Sequence, residues 1–383
     1  MPPFLSAIKR RIIQIGSFGK NAGVILRDKN YNYAMVDYGF QNRFVLNTDY
    51  NMLNRIMIAY NKAKKDQSLK SPAFHPSNEW VPIYESHMNG IMAAMNERDI
   101  NRINRIYSNF FREPCSVGLH GLPVNMKKYF SGQITRSDKK LFLFDSLYRY
   151  KLWLQLTDGK YPLSTLDSPL VGNPYGYFID GHFVKVGSEY SHYYALKIQQ
   201  LIQDDHGGSV FELGGGYGAM AYYLLRNNPR VTYLNFDLPE NAALSAFYLL
   251  SAFPERRILL YGEGSFAGGS IGDYDIIIMP SFEIEELPEK SIDVVFNSYS
   301  LAEMSLETIK FYLAKISTIA REHILHVNHT RNAVLSAEEF GIETRGFNLV
   351  YKRPALWNAG INMRMDEWEY LYKRGGGDRT FHH

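Results

Sequence analysis

The stretch from Val210 to Gly218 constrains this chain more than any other. It reads VFELGGGYG and is followed by AMAYYLLRN, a run with the helical spacing of apolar residues. An apolar run, a glycine turn and an amphipathic helix predict a buried strand that turns directly into a helix. Glycines at alternate positions allow positive φ and let a ligand approach the backbone without meeting a Cβ. Glu212 puts a carboxylate inside the strand, and a bound ligand would explain it. The alternative is a tight structural turn.

The glycine spacing indicates which ligand this turn serves. A dinucleotide site has G-x-G-x-x-G and leaves helix amides for a pyrophosphate. Here Gly214, Gly216 and Gly218 give G-x-G-x-G, with an acid two positions before the first glycine. That acid repels phosphate and attracts a cation. The arrangement resembles motif I of the class I S-adenosylmethionine-dependent methyltransferases, whose ligand has an amino acid end and a sulfonium but no phosphate. The resemblance implies S-adenosylmethionine as the cofactor.

Composition excludes several other classes. The 383 residues predict more than one domain, and 45% hydrophobic with 21% charged residues is typical of a globular protein. A net charge of +3 without a long Lys/Arg block gives no reason to expect a nucleic acid partner. The single cysteine, Cys115, fits a reducing cytoplasm. No signal peptide and no stretch of 18 apolar residues is present, so we expect a soluble, cytoplasmic protein without a membrane partner.

Residues 1–175 predict a mainly helical accessory region that covers the substrate. Short β-prone runs between Ile12 and Leu46 (IIQIG, AGVILR and YAMVDYG) predict a small N-terminal β element. Apolar residues at helical spacing then predict four helices, near 51–65, 82–94, 98–112 and 137–156. A turn-rich segment at 168–183 leads to the cofactor-binding domain, assigned to 176–374, and 375–383 predicts a flexible tail.

From Val210 onward, strand and helix patterns alternate, which is typical of a parallel sheet. The strands after VFEL are VTYLNFDL, ILLYGEG, DIIIMPSF, IDVVFNSYS and ILHVNHT. The last two runs, GFNLVYKRPALW and EWEYLYKR, predict antiparallel edge strands. The predicted fold class is therefore α/β: a Rossmann-like, doubly wound, mostly parallel sheet with antiparallel C-terminal strands, after a mainly helical N-terminal region.

Ligands of open α/β sheets lie outside the carboxyl ends of the strands, so polar residues at those ends are the candidates. Asp237 ends the second strand, where a carboxylate accepts hydrogen bonds from both ribose hydroxyls; the alternative is a helix cap before Pro239. Met279 with Ser281 suits the face and edge of an adenine. The predicted cofactor-binding residues are Glu212, Gly214, Gly216, Tyr217, Gly218, Asp237, Leu238, Met279, Pro280, Ser281, Asn297 and Ser298.

Three segments in order (FELGGGYG, DLPENAALSAFYL and DVVFNSYSLAEMS) resemble a family of bacterial sugar O-methyltransferases, and the GNPYG turn at 172–176 fits that family too. The resemblance covers about residues 168–330. It implies methyl transfer to a hydroxyl of a sugar or sugar-bearing metabolite. The chain departs from the family by having Glu189-Tyr190-Ser191-His192 where an arginine is common. Two alternatives stay open: a methyltransferase for a non-sugar small molecule, and an inactive cofactor-binding scaffold.

A sugar hydroxyl is a poor nucleophile, so transfer needs in-line placement and a base. His329 is the first candidate base, because it falls at the carboxyl end of a strand. Glu303 is the second, although Ser300 and Glu303 also have the spacing of a capping box. His192 is the third. We expect Tyr193, Tyr299 and Asn328 to contact the acceptor.

Three histidines at 323, 326 and 329 have the composition of a metal site but not its geometry. In a strand with period 2, His326 faces away from the other two, so the three cannot share one ion. We therefore expect no metal ligands, although the sequence does not settle whether a divalent metal assists. It leaves open the acceptor and the oligomeric state, a homo-oligomer included.

Overall fold

The computed structural model describes most of the chain. The described residues are 22–43, 49–77, 80–119, 128–129, 131–202, 207–266, 271–330, 333–360 and 366–375. The predicted strand IIQIG and nearly all of the predicted tail lie outside them.

Helices and strands are numbered here in chain order. The helices are α1 (Val36–Phe40), α2 (Tyr50–Gln67), α3 (Trp80–Ile83), α4 (Asn89–Asn96), α5 (Ile100–Tyr107), α6 (Arg136–Leu156), α7 (Ser188–Leu201), α8 (Ala219–Asn227), α9 (Pro239–Ala252) and α10 (Leu306–Ile319). The strands are β1 (Gly176–Ile179), β2 (His182–Lys185), β3 (Ser209–Leu213), β4 (Thr232–Asp237), β5 (Ile258–Leu260), β6 (Ile276–Pro280), β7 (Ile292–Ser298), β8 (Ala320–His329), β9 (Phe347–Pro354) and β10 (Glu367–Arg374).

The chain forms two compact units. The first, called the helical unit, comprises Met1–Thr48, Asn101–Ala195 and Ala355–Met365. The second, called the sheet unit, comprises Asp49–Ile100, Leu196–Pro354 and Asp366–His383. The predicted division between residues 175 and 176 does not coincide with these units, because α2 to α4 belong with the sheet.

The helical unit contains α1, α6, the β1–β2 hairpin and the start of α7. Helix α6 begins with a capping box in which Thr135 and Asp138 satisfy each other's backbone amides. The prediction of strands in AGVILR and YAMVDYG was wrong, since residues 22–26 are helical and Tyr33–Met35 forms a 3-10 turn before α1. Val36 and Phe40 are both buried at helical spacing. Packing of that stripe outweighs the β propensity of its residues.

In the sheet unit, the N-terminal helices follow their predicted positions. The Asp49 side chain caps α2 by accepting from the Met52 amide. Helices α3 and α4 are joined by one π-helical segment, Tyr84–Met88. Helix α2 packs on α9 through a buried stripe that includes Ile56 and Ala63. This contact makes α2 part of the fold that carries the glycine turn.

The eight-stranded sheet has the order β5-β6-β4-β3-β7-β8-β10-β9. Strands β3 to β8 pair in parallel, and β10 pairs antiparallel with both β8 and β9. The sheet therefore confirms the predicted α/β fold class with antiparallel C-terminal strands. Strands β3 and β6 are buried along their whole length, as the apolar runs predicted.

The order of the strands fixes where a ligand binds. From β3 the chain crosses to β4 in one direction, and from β7 it crosses to β8 in the other. Because parallel crossovers are right-handed, α8 and α10 lie on opposite faces of the sheet, which is thus doubly wound. The carboxyl ends of β3 and β7 meet at this switch point, where open α/β sheets bind their ligands.

Candidate cofactor and acceptor site

The glycine turn after β3 brings the backbone close to the end of β7. Gly214, Gly216 and Gly218 all have positive φ (72°, 57° and 88°), as their spacing predicted. A Cβ on Gly214 would stand 2.5 Å from the Ser300 side chain. Only glycine fits there, because the turn packs directly against the segment that follows β7.

Glu212 lies in β3 with 4% of its surface exposed. Its Oε2 accepts a hydrogen bond from the Tyr233 hydroxyl at 2.5 Å. Burial raises the pKa of Glu212 to about 7, although the Tyr233 bond acts in the opposite direction. Because burial disfavours the ionised form of this carboxyl, pairing with a positively charged or hydrogen-donating ligand would lower its free energy substantially.

Asp237 ends β4 beside the glycine turn. Its Oδ2 accepts from the Gly216 amide at 2.9 Å, and its Oδ1 accepts from the Leu238 amide and from Asn241 Nδ2. Burial raises its pKa to about 6 in spite of these bonds. The helix-cap alternative is not what the structure shows, because the N-cap of α9 is Leu238 and carries no side-chain bond. The carboxylate instead ties the glycine turn to the end of β4.

Two buried polar atoms near Asp237, Tyr60 Oη and Asn241 Oδ1, lack a hydrogen-bond partner among the described residues. The neighbouring Glu240 carboxylate does have partners, because it lies 2.9 Å from Lys64 Nζ and the Tyr84 side chain hydrogen-bonds to it. Buried polar groups in folded proteins nearly always have partners, so the two unpaired atoms fit a polar ligand such as the adenosine part of S-adenosylmethionine.

The strand ends next to Asp237 hold the residues predicted to contact adenine. Pro280 is the register partner of Asp237, and Met279 pairs with Phe236 one residue earlier. Met279 is 1% exposed and packs in the main core. The Tyr217 side chain is likewise buried, with its ring 5.1 Å from that of Tyr248. Any contact of Met279 or Tyr217 with a ligand would therefore involve the backbone more than the side chain.

At the end of β7 two asparagines join neighbouring strands. Asn297 Nδ2 donates to the Leu213 carbonyl at 2.9 Å, and Asn328 Nδ2 donates to Asn297 Oδ1 at the same distance. Asn328 Oδ1 in turn accepts from the Ala302 amide. Ser298 is the last residue of β7 and is half-buried. These contacts fix the relative positions of β3, β7 and β8, which assigns the two asparagines a positioning role.

Acidic side chains surround His329 at the end of β8. His329 and Glu367 are directly opposite each other in the β8–β10 ladder, and Asp366 immediately precedes β10. One ligand atom from each of these three side chains lies within 4.8 Å of the others. Both carboxylates are buried, whereas His329 is half-buried. His329 is thus placed where a carboxylate can orient its imidazole.

Tyr299 completes this cluster. It has φ of 64°, in the left-handed region that bulky residues rarely adopt. Its hydroxyl donates to Glu367 Oε2 at 2.8 Å, and its ring centroid lies 5.2 Å from that of His329. The structure therefore brings together two predicted site residues, Tyr299 and His329, with two that were not predicted.

Glu303 is not part of a capping box. The Ser300 hydroxyl donates to the Leu213 carbonyl, and α10 begins later with Ser305 as its cap. Glu303 Oε2 accepts from the Trp80 indole at 2.9 Å. The capping alternative was therefore wrong, and Glu303 instead connects α3 to the sheet.

The remaining two candidates, His192 and Tyr193, lie in the helical unit. His192 is 1% exposed, and its Nδ1 accepts from the Trp153 indole at 3.1 Å. Tyr193 is 3% exposed and packs against Trp357. Both residues belong to the aromatic core of that unit.

Sequence reasoning missed Asp366, Glu367 and the polar side chains of α2, the π segment and α9. The acidic pair was visible as an Asp-Glu at the start of the last strand pattern, but only the antiparallel register of β10 brings it to His329. Tyr60 and Tyr84 had no signal at all, because their helices were assigned to an accessory region.

Comparison with known proteins gives a family for the central segment. Residues 192–284 match the model of an O-methyltransferase domain. No curated protein matches the chain in sequence. Within the described residues, no helix has the length and apolar character needed to cross a membrane.

Three solved structures illustrate the structural likeness. Magnesium protoporphyrin IX methyltransferase from Synechocystis PCC 6803, with bound cofactor, has a TM-score of 0.36 at 12% identity, over 49% of this chain and 77% of its own. Mitomycin 7-O-methyltransferase has a TM-score of 0.34 at 15% sequence identity, over 49% of this chain and 55% of its own. The pyocyanin biosynthetic protein PhzM has a TM-score of 0.34 at 13% sequence identity, over 49% of this chain and 56% of its own. This chain thus spans about half the length of the last two proteins. Because the TM-scores are low, the fold class is assigned from the strand order of the sheet and not from these structures.

The matched segment includes the glycine turn, Asp237 and the first turn of α9. Those are the elements whose buried carboxylates and orphaned polar atoms fit the cofactor. The chain therefore contains an O-methyltransferase domain and is an enzyme that uses S-adenosylmethionine as its methyl donor.

Proposed function

We propose that this enzyme methylates a hydroxyl of a sugar or a sugar-bearing metabolite. The observation that carries the proposal is the cluster of Tyr299, His329, Asp366 and Glu367 at the end of β8, in which Tyr299 donates to Glu367. A site rich in carboxylate and imidazole groups suits an acceptor with several hydroxyls, since each hydroxyl needs a partner when it leaves water. The motif resemblance to bacterial sugar O-methyltransferases supports the same acceptor class.

In this proposal the cofactor lies along the carboxyl ends of β3, β4 and β6. Bound S-adenosylmethionine supplies an electrophilic methyl group on its sulfonium. Glu212 accepts from a hydrogen-donating or cationic group, and Asp237 accepts from the ribose hydroxyls. The glycine turn, which includes Tyr217, contributes its backbone. Met279, Pro280 and Ser281 shape the adenine side of the site, with Leu238 next to Asp237, whereas Asn297 and Ser298 lie at the end of β7, where the methyl group would be presented.

His329 takes the proton of the acceptor hydroxyl. Histidine is the usual general base of enzymes that work near neutral pH, and the adjacent carboxylates of Asp366 and Glu367 can hold the ring in place. As the oxygen–methyl bond forms and the carbon–sulfur bond breaks, the hydroxyl proton passes to the imidazole. Tyr299 orients Glu367 and offers a ring face to the acceptor. Glu303 positions α3 through Trp80, and Asn328 positions the strands.

The predicted cofactor-binding residues all belong to the sheet unit, so this proposal assigns the helical unit no part in cofactor binding. His192 and Tyr193 are buried in the core of the helical unit and carry no step of the proposal. We also propose a cytoplasmic location, supported by the single cysteine, which is buried. A small-molecule acceptor is the only partner that the proposal requires, and a homo-oligomer is compatible with it.

A labelled transfer experiment tests the acceptor class. The enzyme is incubated with S-adenosylmethionine carrying a trideuterated methyl group and two matched panels, one of sugars and glycosylated metabolites, the other of phenols and other non-sugar hydroxyl compounds. We expect the label on a sugar oxygen, identified by mass spectrometry and NMR. Transfer to the second panel alone would establish the non-sugar alternative. Tight cofactor binding without transfer to either panel or to a cell extract would favour the inactive scaffold.

A further inference from the structure

A cavity of about 430 Å³ lies in the helical unit, where strand β2 forms part of its wall. Its volume is typical of a site for a small molecule. Three segments that are distant in the sequence line it, and most of the side chains that they contribute are polar. The lining includes Asn42, Arg43, Asp167, Ser168, His182 and Phe183. The proposed methyl transfer gives none of these residues a role.

The guanidinium of Arg43 is held in place but not neutralised. Its Cζ lies 4.2 Å from the ring centroid of Phe183 and 5.3 Å from that of Phe178. Within the described part of the chain, its Nη2 donates to the Tyr38 carbonyl, and its buried Nε has no acceptor. Burial lowers the pKa of Arg43, and no carboxylate among the described residues acts against this effect. Those residues therefore leave the guanidinium without a counter-ion.

Arg112 brings a second positive charge close to Arg43. Its guanidinium donates to four backbone carbonyls, those of Phe40, Gln41, Asn173 and Pro174. Burial, with the charge of Arg43 as a smaller cause, lowers the pKa of Arg112 to about 10. Asn173 joins the two arginines, because its side chain accepts from the Arg43 amide and its carbonyl accepts from Arg112. An anion bound beside Arg43 would relieve the repulsion between the two charges.

The acid that lines the cavity pairs with a different residue. The Asp167 carboxylate contacts His182 Nε2 and forms an ion pair with it when the imidazole is protonated. This pairing leaves the positive charge of Arg43 available to a ligand. Asn42 and Ser168 add neutral hydrogen-bond donors to the lining. The combination suits an anionic group carried by a molecule that also has hydroxyls.

We propose that this cavity binds a small molecule through a phosphate or carboxylate group that Arg43 holds. A guanidinium fork can donate two parallel hydrogen bonds to oxygens of either group. Nearby Arg112 increases the positive potential, while Asn42 and Ser168 bind hydroxyls of the same molecule. All of the predicted cofactor-binding residues belong to the sheet unit, so this site is additional to the cofactor site and to the proposed methyl transfer.

A purely structural role for Arg43 makes different predictions. Its side chain would then only pack on the rings of Phe178 and Phe183. Arg43→Met keeps an unbranched apolar stem over those rings and removes the charge. If the role is structural, an added anion changes the melting temperature of neither protein. In the proposed site, the anion raises the melting temperature of wild type and has little effect on Arg43→Met, because a ligand stabilises only a protein that binds it.

The test is calorimetric titration of the full chain at pH 7 and constant ionic strength with glucose 6-phosphate, glucuronate and glucose. We expect saturable binding of at least one of the two anionic compounds and none of glucose. Arg43→Met should weaken that binding at least about 10-fold, and Arg43→Lys, which keeps the charge without the fork, should weaken it less. Arg257→Met is the matched control, because it removes an exposed arginine paired with Asp275 in the sheet unit and should keep the wild-type affinity.

Each outcome of these titrations decides the proposal. Binding of glucose 6-phosphate alone identifies a phosphate site, and binding of glucuronate alone identifies a carboxylate site. The proposal is overturned if wild type binds neither anion, or if every Arg43 variant that circular dichroism shows to be folded keeps the wild-type affinity. Arg43→Lys keeps the test decisive where Arg43→Met fails to fold. S-Adenosylhomocysteine affinity should be unchanged in the folded variants, and its loss would overturn the proposal by assigning Arg43 to the cofactor.

Discussion

Cofactor binding should depend on pH through Glu212. Burial raises its pKa from 4.5 to about 7, which corresponds to about 3 kcal/mol that disfavours the ionised form in the ligand-free protein. Below pH 7 the empty site therefore holds a proton on Glu212. A ligand that requires the carboxylate must displace that proton. Its association constant should then rise about tenfold per pH unit up to about pH 7 and level off above it.

The raised pKa of Glu212 has the opposite effect on the stability of the ligand-free protein, which decreases as the pH rises. A carboxyl whose pKa is higher in the folded state binds more protons there than in the unfolded chain. The free energy of unfolding therefore falls as the pH rises from about 4.5 to about 7. Asp237, with its pKa raised to about 6, contributes in the same direction at the lower end of this window. Ligand-free stability and cofactor affinity should thus change in opposite directions between pH 5.5 and 7.

Calorimetric titration with S-adenosylhomocysteine between pH 5.5 and 8, in buffers of different ionisation enthalpy, measures both the affinity and the protons released. Glu212→Gln is the matched control, because it keeps the shape of the side chain and cannot ionise. We expect it to remove most of the slope between pH 6 and 7 and to bind more weakly than wild type at pH 8. A wild-type affinity independent of pH, or an unchanged slope in the variant, would refute the reasoning about this carboxyl.

Three further expectations concern catalysis and folding. In steady-state assays, His329→Ala should lower kcat about 100-fold or more with little change in cofactor affinity. The kcat of Glu303→Gln, whose side chain still accepts from Trp80, should stay within a few-fold of wild type. The reverse result would make Glu303 the base. EDTA should leave turnover unchanged, and an activity lost on chelation and restored by Mn²⁺ would instead make His329 a metal ligand. A fragment of residues 168–374 lacks α2 and should fail to fold, which a cooperative thermal transition in circular dichroism would contradict.

The parts of the fold that could be predicted were those with local causes. The glycine turn, the alternation of strands and helices, and Asp237 at a strand end each have a pattern within about ten residues. The doubly wound sheet follows from that alternation, because right-handed crossovers leave few ways to arrange it. The opposed faces of His326 and His329 also followed from strand periodicity. His326 stacks on Tyr370 in the core, whereas His329 meets Glu367.

The parts that could not be predicted depend on contacts between distant segments. Glu367 reaches His329 only because β10 runs antiparallel beside β8, and no local pattern sets that register. The helix around Val36 forms because its buried stripe finds partners, which its β-prone composition hides. Ser300 and Glu303 matched a capping pattern, yet the Leu213 carbonyl and the Trp80 indole bind them instead. The cofactor roles of the individual residues stay predictions until a ligand is bound.

A crystal structure of the complex with S-adenosylhomocysteine tests the central claim most directly. We expect the ribose hydroxyls within hydrogen-bond distance of Asp237, and the amino acid end at the glycine turn beside Glu212. The ligand sulfur should lie on the side of the site that faces Tyr299 and His329, the position required for methyl transfer to an acceptor held there. A ligand bound elsewhere, or bound at the turn with its ribose directed away from Asp237, would contradict this account of the site.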